Sequence, residues 1–309
     1  MSAVAPSAAL AALGAALTWA VGSILFRRAL EHGEAHERPS PAGANLFKNS
    51  LAALVLAACM LARGEAWPAS SSLSTLLASG LFGFALGDSL YFAALGGAGV
   101  QRAAMLIELH VPLAALGAWA CYGEALSLAT LGWSAVVLAG VVLVVQGRGL
   151  EHVDERAARR RGLLLAFVAA VAYAVALVLG HRGMEGTALF AGSVVRVIGG
   201  IVSALVLAPF AGCLPGGRGA RGELAALVRP LCSRRLARLL LPAACLGSVI
   251  GLPMFHYALR ELTPGVAALL LSTTPLFTLP IEELRGTRHG LRAWIGTLIG
   301  FAGVAGMLL

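Results

Sequence analysis

The chain has 309 residues, of which 59% are hydrophobic and only 12% charged, about half the charge of an ordinary soluble domain (~25%), and that excludes a soluble globular fold. Its net charge of +8 and pI near 9.9 raise nucleic acid as a partner. The cations, however, fall in short clusters between long apolar runs, the pattern of cytoplasmic loops, so no nucleic-acid partner is expected.

A hydrocarbon core of about 30 Å takes about 20 helical residues. Apolar runs near that length predict helices over 8–26, 45–62, 73–95, 103–121 and 130–146, then over 163–180, 188–209, 239–258, 265–281 and 293–309. No Lys or Arg precedes Trp19, so the first run reads as a retained helix rather than a cleaved signal. The two sets of five are separated by a basic hinge, Gly147 to Arg161, that ends in Arg159, Arg160 and Arg161; the longest loop, 210–238, is rich in Gly, Pro and Arg. The organisation expected is a first five-helix repeat over 1–147, a basic linker over 148–161 and a second repeat over 162–309. Cys59, Cys121, Cys213, Cys232 and Cys245 show no C-x-x-C and no companion histidine spacing, and they read as small hydrophobes.

The two halves repeat one another. Gly83, Gly87, Ala94 and Leu95 recur 164 residues later as Gly247, Gly251, Ala258 and Leu259, with Leu86, Leu90 and Tyr91 conservatively replaced by Ile250, Met254 and Phe255. On helices 1 and 6, Ala16, Trp19, Ala20, Val21, Arg28 and Glu31 recur as Ala170, Tyr173, Ala174, Val175, Arg182 and Glu185. Pro112 matches Pro275, Gly132 matches Gly296, and Lys48 falls opposite Arg196. An odd number of helices in each half turns the second upside down in the bilayer. The expected fold is therefore an all-α polytopic membrane protein, with ten transmembrane helices as two inverted five-helix repeats.

These marks resemble the drug/metabolite transporter (DMT) superfamily, EamA-type: a Gly-rich third helix (Gly83, Gly87), a fourth with a mid-span Pro112 followed by Gly123-Glu124, and a Gly-rich fifth (Gly132, Gly140). The second half gives Gly247, Gly251, Pro275, Gly286, Gly296, Gly300 and Gly303, with Thr287 where the second Glu would fall. The resemblance implies a secondary transporter of small metabolites or drugs, an exporter working by alternating access in the cell (inner) membrane. A small-molecule cargo and the lipid bilayer are the implied partners. No cofactor or metal is expected, and a monomer and a homodimer both stay open. The alternative is a sensor or scaffold that keeps the transporter fold without transporting.

A charge near the bilayer centre is costly and normally faces a cavity or a partner. Positions alike in both halves serve the shared fold, so polar positions found in one half only are the better functional candidates. Asp88, Glu108 and His110 have the counterparts Leu252, Leu271 and Thr273, which makes them the first choice for a cavity site. A carboxyl in an apolar cavity suits proton binding during transport, and Glu108 or Asp88 is the expected coupling group; the plainer reading is a carboxyl holding two helices together. On an ideal helix Glu108 and His110 point about 200° apart, which assigns them to different surfaces.

Lys48 and Arg196 are cations on symmetry-related helices that could attract an anionic cargo, although Lys48 lies close enough to its helix end to snorkel. Trp19 and Tyr173 could line the cavity or simply pack. Gly83, Gly87, Gly247 and Gly251 read as close helix packing, and Pro112 and Pro275 as helix kinks. His256, Arg260, Glu261, Glu282, Glu283 and Arg285 read as interface anchors and end caps, Glu282 being the best placed of them to reach the cavity; Glu124 reads as a helix-end contact. Gly87-Asp88-Ser89-Leu90 spells a hydrolase signature, but it lies inside an apolar helix and no Asp-x-x-His follows, so no enzyme is expected. Loops after odd-numbered helices carry 18 Lys and Arg against 3 after even-numbered ones. The positive-inside rule then puts the odd loops in the cytoplasm and both termini outside, whereas the family resemblance implies both termini inside.

Overall fold

The computed structural model describes residues 6–32, 38–122, 128–145, 153–213, 218–261 and 270–308, all of them in helices and their connections. In chain order the helices are α1 (Pro6–Glu31), α2 (Pro41–Ala62), α3, α4 (Val100–Ile107), α5 (His110–Tyr122), α6 (Leu128–Val145), α7 (Val153–Met184), α8 (Leu189–Gly212), α9 (Ala220–Cys232), α10, α11 (Thr274–Leu284) and α12 (Leu291–Leu308). Helix α3 joins Ser70–Gly80, a π-helical Leu81–Gly87 and Asp88–Ala98. Helix α10 joins Arg234–Ala244, a π-helical Cys245–Ile250 and Gly251–Glu261. Seven helical runs among the described residues are long and apolar enough to cross a bilayer; Leu131–Val144 and Leu291–Gly306 are apolar but shorter.

The repeat read from sequence has a structural counterpart. The π stretches sit 164 residues apart, and the helix interruptions at 108–109 and 272–273 precede Pro112 and Pro275. Packing is reciprocal between the halves. Helix α1 packs on α10 and α11, while α7 packs on α3, α4 and α5; α2 packs on α10, α8 packs on α3, and α2 meets α8.

Small residues allow these approaches, since helices in lipid associate by close packing. Ala8, Ala12, Ala15, Ala16 and Ala20 of α1 are wholly buried. Where α6 crosses α12, a Cβ on Gly140 would lie 2.4 Å from the amide nitrogen of Gly300 and 2.6 Å from the carbonyl of Gly296.

Two segments depart from expectation. The expected loop 210–238 contains α9, which lies across α2 and α8. Ser40 caps α2 by accepting from the Gly43 amide (3.0 Å) and donates to the Ala226 carbonyl of α9 (3.1 Å), and a Cβ on Gly43 would come within 2.7 Å of that carbonyl. The expected linker is helical from Val153 onward, as the first turns of α7. Residues 148–152, 265–269, Gly123 and Glu124 lie outside the described residues, as do the side chains of His256, Arg260 and Glu261.

The short link between α2 and α3 is pinned to the start of α8 by Glu65. Its Oε2 accepts from the amides of Phe190 (2.7 Å) and Ala191 (2.9 Å), supplying acceptors to N–H groups that a helix start leaves unpaired.

Candidate functional site

A cavity of about 380 Å³ lies between the two halves. The seven polar and aromatic candidates, Trp19, Lys48, Asp88, Glu108, His110, Tyr173 and Arg196, all line it.

Asp88 follows the π stretch of α3. Its Oδ2 lies 2.6 Å from Lys48 Nζ, and its Oδ1 accepts from the Tyr173 hydroxyl at 2.5 Å. Lys48 does not snorkel: its side chain is 12% exposed, and Nζ sits 5.6 and 5.9 Å from the ring centroids of Phe84 and Phe92. The carboxylate on the next helix outcompetes the interface because it offers a charged partner inside the protein. Three helices, α2, α3 and α7, meet at this one carboxyl.

Glu108 and His110 share the cavity because the helix is interrupted between them. Pro112 has no N–H to donate to the Glu108 carbonyl, which instead accepts from Val111, three residues on, at 3.1 Å. Both helices are interrupted by a two-residue turn just before the proline, at 108–109 and at 272–273. In the second half Pro275 likewise cannot serve the Leu271 carbonyl, which accepts from the Thr274 hydroxyl at 2.7 Å. The angular count of an unbroken helix therefore fails across Leu109, and His110 turns to the same side as Glu108. His110 Nδ1 donates to the Ile107 carbonyl at 2.7 Å, and its ring stands edge-on to Tyr173 at 6.5 Å. Glu108 is 6% exposed, and its Oε2 is buried with no hydrogen-bond partner.

Arg196 enters from α8. Its Nε donates to Ser79 Oγ at 3.0 Å and its guanidinium lies 5.5 Å from the Phe84 ring centroid. Gly180 makes room for that group, since a Cβ there would lie 3.2 Å from Arg196 Cζ and Nη2. Trp19 stacks obliquely on Phe255 at 5.2 Å and donates its Nε1 hydrogen to the Gly247 carbonyl at 2.9 Å. The four glycines seat these rings and their neighbours: Gly83 faces Ala176 and Gly87 faces Tyr173, while Gly247 and Gly251 face Trp19.

Aromatic and ionic contacts adjoin one another beside the cavity. Phe26 and Phe92 stack at 4.4 Å and are 2% and 5% exposed. Next along α1, Arg27 Nη1 lies 3.6 Å from Glu282 Oε1, and His289 Nε2 lies 3.1 Å from Glu282 Oε2. Glu282 therefore does not reach the cavity. Arg27 and His289 hold its carboxylate in an ionic layer outside the aromatic one. In the second half the counterpart of Arg27 is His181, which lines the cavity, is 59% exposed, and pairs within its own helix with Glu185 at 3.9 Å.

The sequence reading missed two kinds of residue. Ser23 and Tyr91, hydrogen-bonded at 3.0 Å, line the cavity, as does Ser272. Asn45 and Asn49, 1% and 2% exposed, lie behind it, and their donors reach the Phe84 carbonyl. The signal was present for the asparagines: two amides four residues apart in an apolar run, which need buried partners.

Comparison with known proteins places this architecture. Part of the chain is 36% identical, over 85 residues, to the "Uncharacterized inner membrane transporter YedA" of Escherichia coli strain K12, and to the proteins of the same name in the O6:H1 and O157:H7 strains. Each alignment takes in 27% of this chain and 26% of the relative, so it spans about a quarter of the length of the curated relatives. A solved crystal structure superposes with a TM-score of 0.61 at 18% identity, covering 97% of this chain and 96% of that one, a likeness of fold alone. The model of the EamA-like transporter family matches twice in succession, over residues 6–146 and 160–309. With both halves matched, the chain belongs to the EamA-like transporter family.

Proposed function

We propose that the chain is a secondary exporter of small metabolites or drugs in the inner membrane, working by alternating access and coupled to protons through Glu108. The observation that carries this reading is the gathering of all seven candidates around one cavity between the halves. Its volume, about 380 Å³, falls in the range of sites that enclose small molecules. Glu108 is the coupling group because its Oε2 is the cavity carboxyl oxygen without a partner, whereas Asp88 is held by Lys48 and Tyr173. It sits where α4 gives way to α5, and interrupted helices of this kind form ion sites in transporters. Arg196 meets an anionic group of the cargo, its fork suiting a carboxylate or related oxyanion.

The proposed topology is ten crossings in two inverted halves. The reciprocal packing of α1 on α10 and α7 on α3 supports a twofold relation between them. The charge count favours odd loops in the cytoplasm and both termini outside, and a reporter fused to the C-terminus distinguishes this from the opposite orientation.

The test is uptake and efflux in proteoliposomes against a mixed metabolite pool, with and without a pH gradient, for the natural protein and Glu108→Gln. Gradient-driven movement of a solute that Glu108→Gln abolishes supports the reading. Gradient-driven movement that survives the substitution removes Glu108 from the coupling role. Movement of no solute under either condition shifts the function to a sensor or scaffold.

A further inference from the structure

The π stretches of α3 and α10 leave one carbonyl each without its helical partner. The amide of Asp88 reaches back five residues to the Gly83 carbonyl, and that of Gly251 five residues to the Leu246 carbonyl. In an α-helix these amides would serve Phe84 and Gly247. A side chain from a neighbouring helix claims each freed oxygen. Phe84 O accepts from Asn45 Nδ2 and, at 3.3 Å, from Asn49 Nδ2, both on α2. Gly247 O accepts from Trp19 Nε1 of α1 at 2.9 Å.

A carbonyl has two acceptor sites, and at Phe84 both are taken, so the Asp88 amide has nowhere to bond in an α register. Asn45 Nδ2 also donates to Ser89 Oγ at 3.0 Å, and Asn49 Nδ2 to Asn45 Oδ1 at 3.0 Å. The pair is therefore tied to α3 on both sides of the Asp88 amide. The second-half counterparts of Asn45 and Asn49, at the offset that relates Lys48 to Arg196, are Ser193 and Val197. Neither carries an amide, and the donor in that half comes from α1 instead.

We propose that Asn45 and Asn49 are positioning residues that hold α3 in its π register, and that Trp19 does the same for α10. The register decides which residues of α3 face the cavity. A change to an α register turns everything after Gly87 by about 100° and slides it by about 1.5 Å. That rotation withdraws Asp88 from Lys48 and Tyr173 and gives each cavity position to the preceding residue. Because Trp19 itself lines the cavity, cargo pressing on its ring acts directly on the register of α10. Single-turn π segments inside α-helices recur at functional sites.

Thiol labelling along α3 tests the proposal in the full chain with its five native cysteines replaced. In the natural register Tyr91→Cys and Phe92→Cys line the cavity and react with a water-soluble maleimide, while Leu90→Cys does not. With Asn45→Leu and Asn49→Leu together, reactivity at Phe92→Cys falls by about tenfold and that at Leu90→Cys rises by about tenfold. Unchanged reactivity at both positions in the folded double variant overturns the proposal. Should the double variant fail to fold, Trp19→Phe keeps the ring and removes the donor. Reactivity on α10 then passes from Phe255→Cys to Met254→Cys, and its failure to move overturns the proposal equally. The labelling needs no cargo, so its outcome is separate from that of the transport reading.

Discussion

The Tyr173 ring occupies the space that a side chain on Gly87 would need: a Cβ there would lie 2.8 Å from the ring edge. The same relation recurs between α10 and α1, where a Cβ on Gly251 would lie 2.9 Å from Trp19 Nε1. Each glycine stands at the C-terminal end of a π stretch, so the register and the seating of the ring belong to one arrangement. At Gly87 the ring carries a hydroxyl that reaches Asp88.

Gly87→Ala accordingly overpacks a backbone-to-ring contact and destabilises the protein by about 1–3 kcal/mol. It also drives the Tyr173 hydroxyl off Asp88. Gly96→Ala is the control, because nothing lies within 4 Å of a Cβ at that position. Thermal unfolding in detergent checks this. Equal melting of the two variants would remove the seating role.

The Lys48 and Asp88 side chains are 12% and 14% exposed, so removing one charge leaves the other mostly buried without its partner. Asp88→Asn or Lys48→Met alone lowers stability by about 3 kcal/mol. The double variant loses less than the sum, because no stranded charge remains. Unfolding of the four members of this cycle gives the coupling, and strict additivity would show that the ion pair contributes nothing.

Much of this arrangement was legible in the sequence because duplication leaves a background against which singular residues stand out. Asp88, Glu108 and His110 were marked by apolar or uncharged counterparts, and all three line the cavity. What the sequence concealed were departures from ideal helix geometry. An unbroken helix separates Glu108 from His110 by about 200°, but the turn that Pro112 imposes brings them together. Glu282 read as an interface anchor or end cap, the best placed of its group to reach the cavity, and the choice between cavity and ion pair depended on Arg27 and His289, which only the tertiary structure brings near. Helix α9 was hidden because its 13 residues are too short and too basic for the pattern of a membrane span, and its order comes from packing on α2 and α8.

The ionic layer beside the cavity has a functional consequence. Arg27, Glu282 and His289 tie α1 to α11 and to the turn that follows it, and Arg27 directly follows Phe26, whose ring stacks on Phe92. In a background with the native cysteines replaced, Ser23→Cys reports on the cavity. Glu282→Gln raises its labelling from the Arg27 face by about tenfold, the effect of about 1.4 kcal/mol on a two-state equilibrium. Glu283→Gln, whose carboxylate accepts from Trp294 Nε1 at 3.0 Å, leaves the labelling unchanged. Equal effects of the two substitutions would assign the closure to general helix-end charge.

Arg196 gives the sharpest statement about cargo. Its Nε is committed to Ser79 Oγ, which fixes the plane of the guanidinium and orients the rest of the fork. A hydrogen bond to a charged group is worth about 1.5–3 kcal/mol, so Arg196→Ala weakens the affinity for an anionic solute by about 10- to 150-fold. Arg196→Lys keeps the charge but loses the fork and recovers only part of the affinity. Gly180→Ala, which alters no charge, acts in the same direction by crowding Arg196 Cζ and Nη2 from 3.2 Å. Transport of a neutral analogue of the same solute changes little in any of the three. Competition measurements in proteoliposomes separate these outcomes, and equal losses for the anionic and neutral solutes would reduce Arg196 to a packing residue.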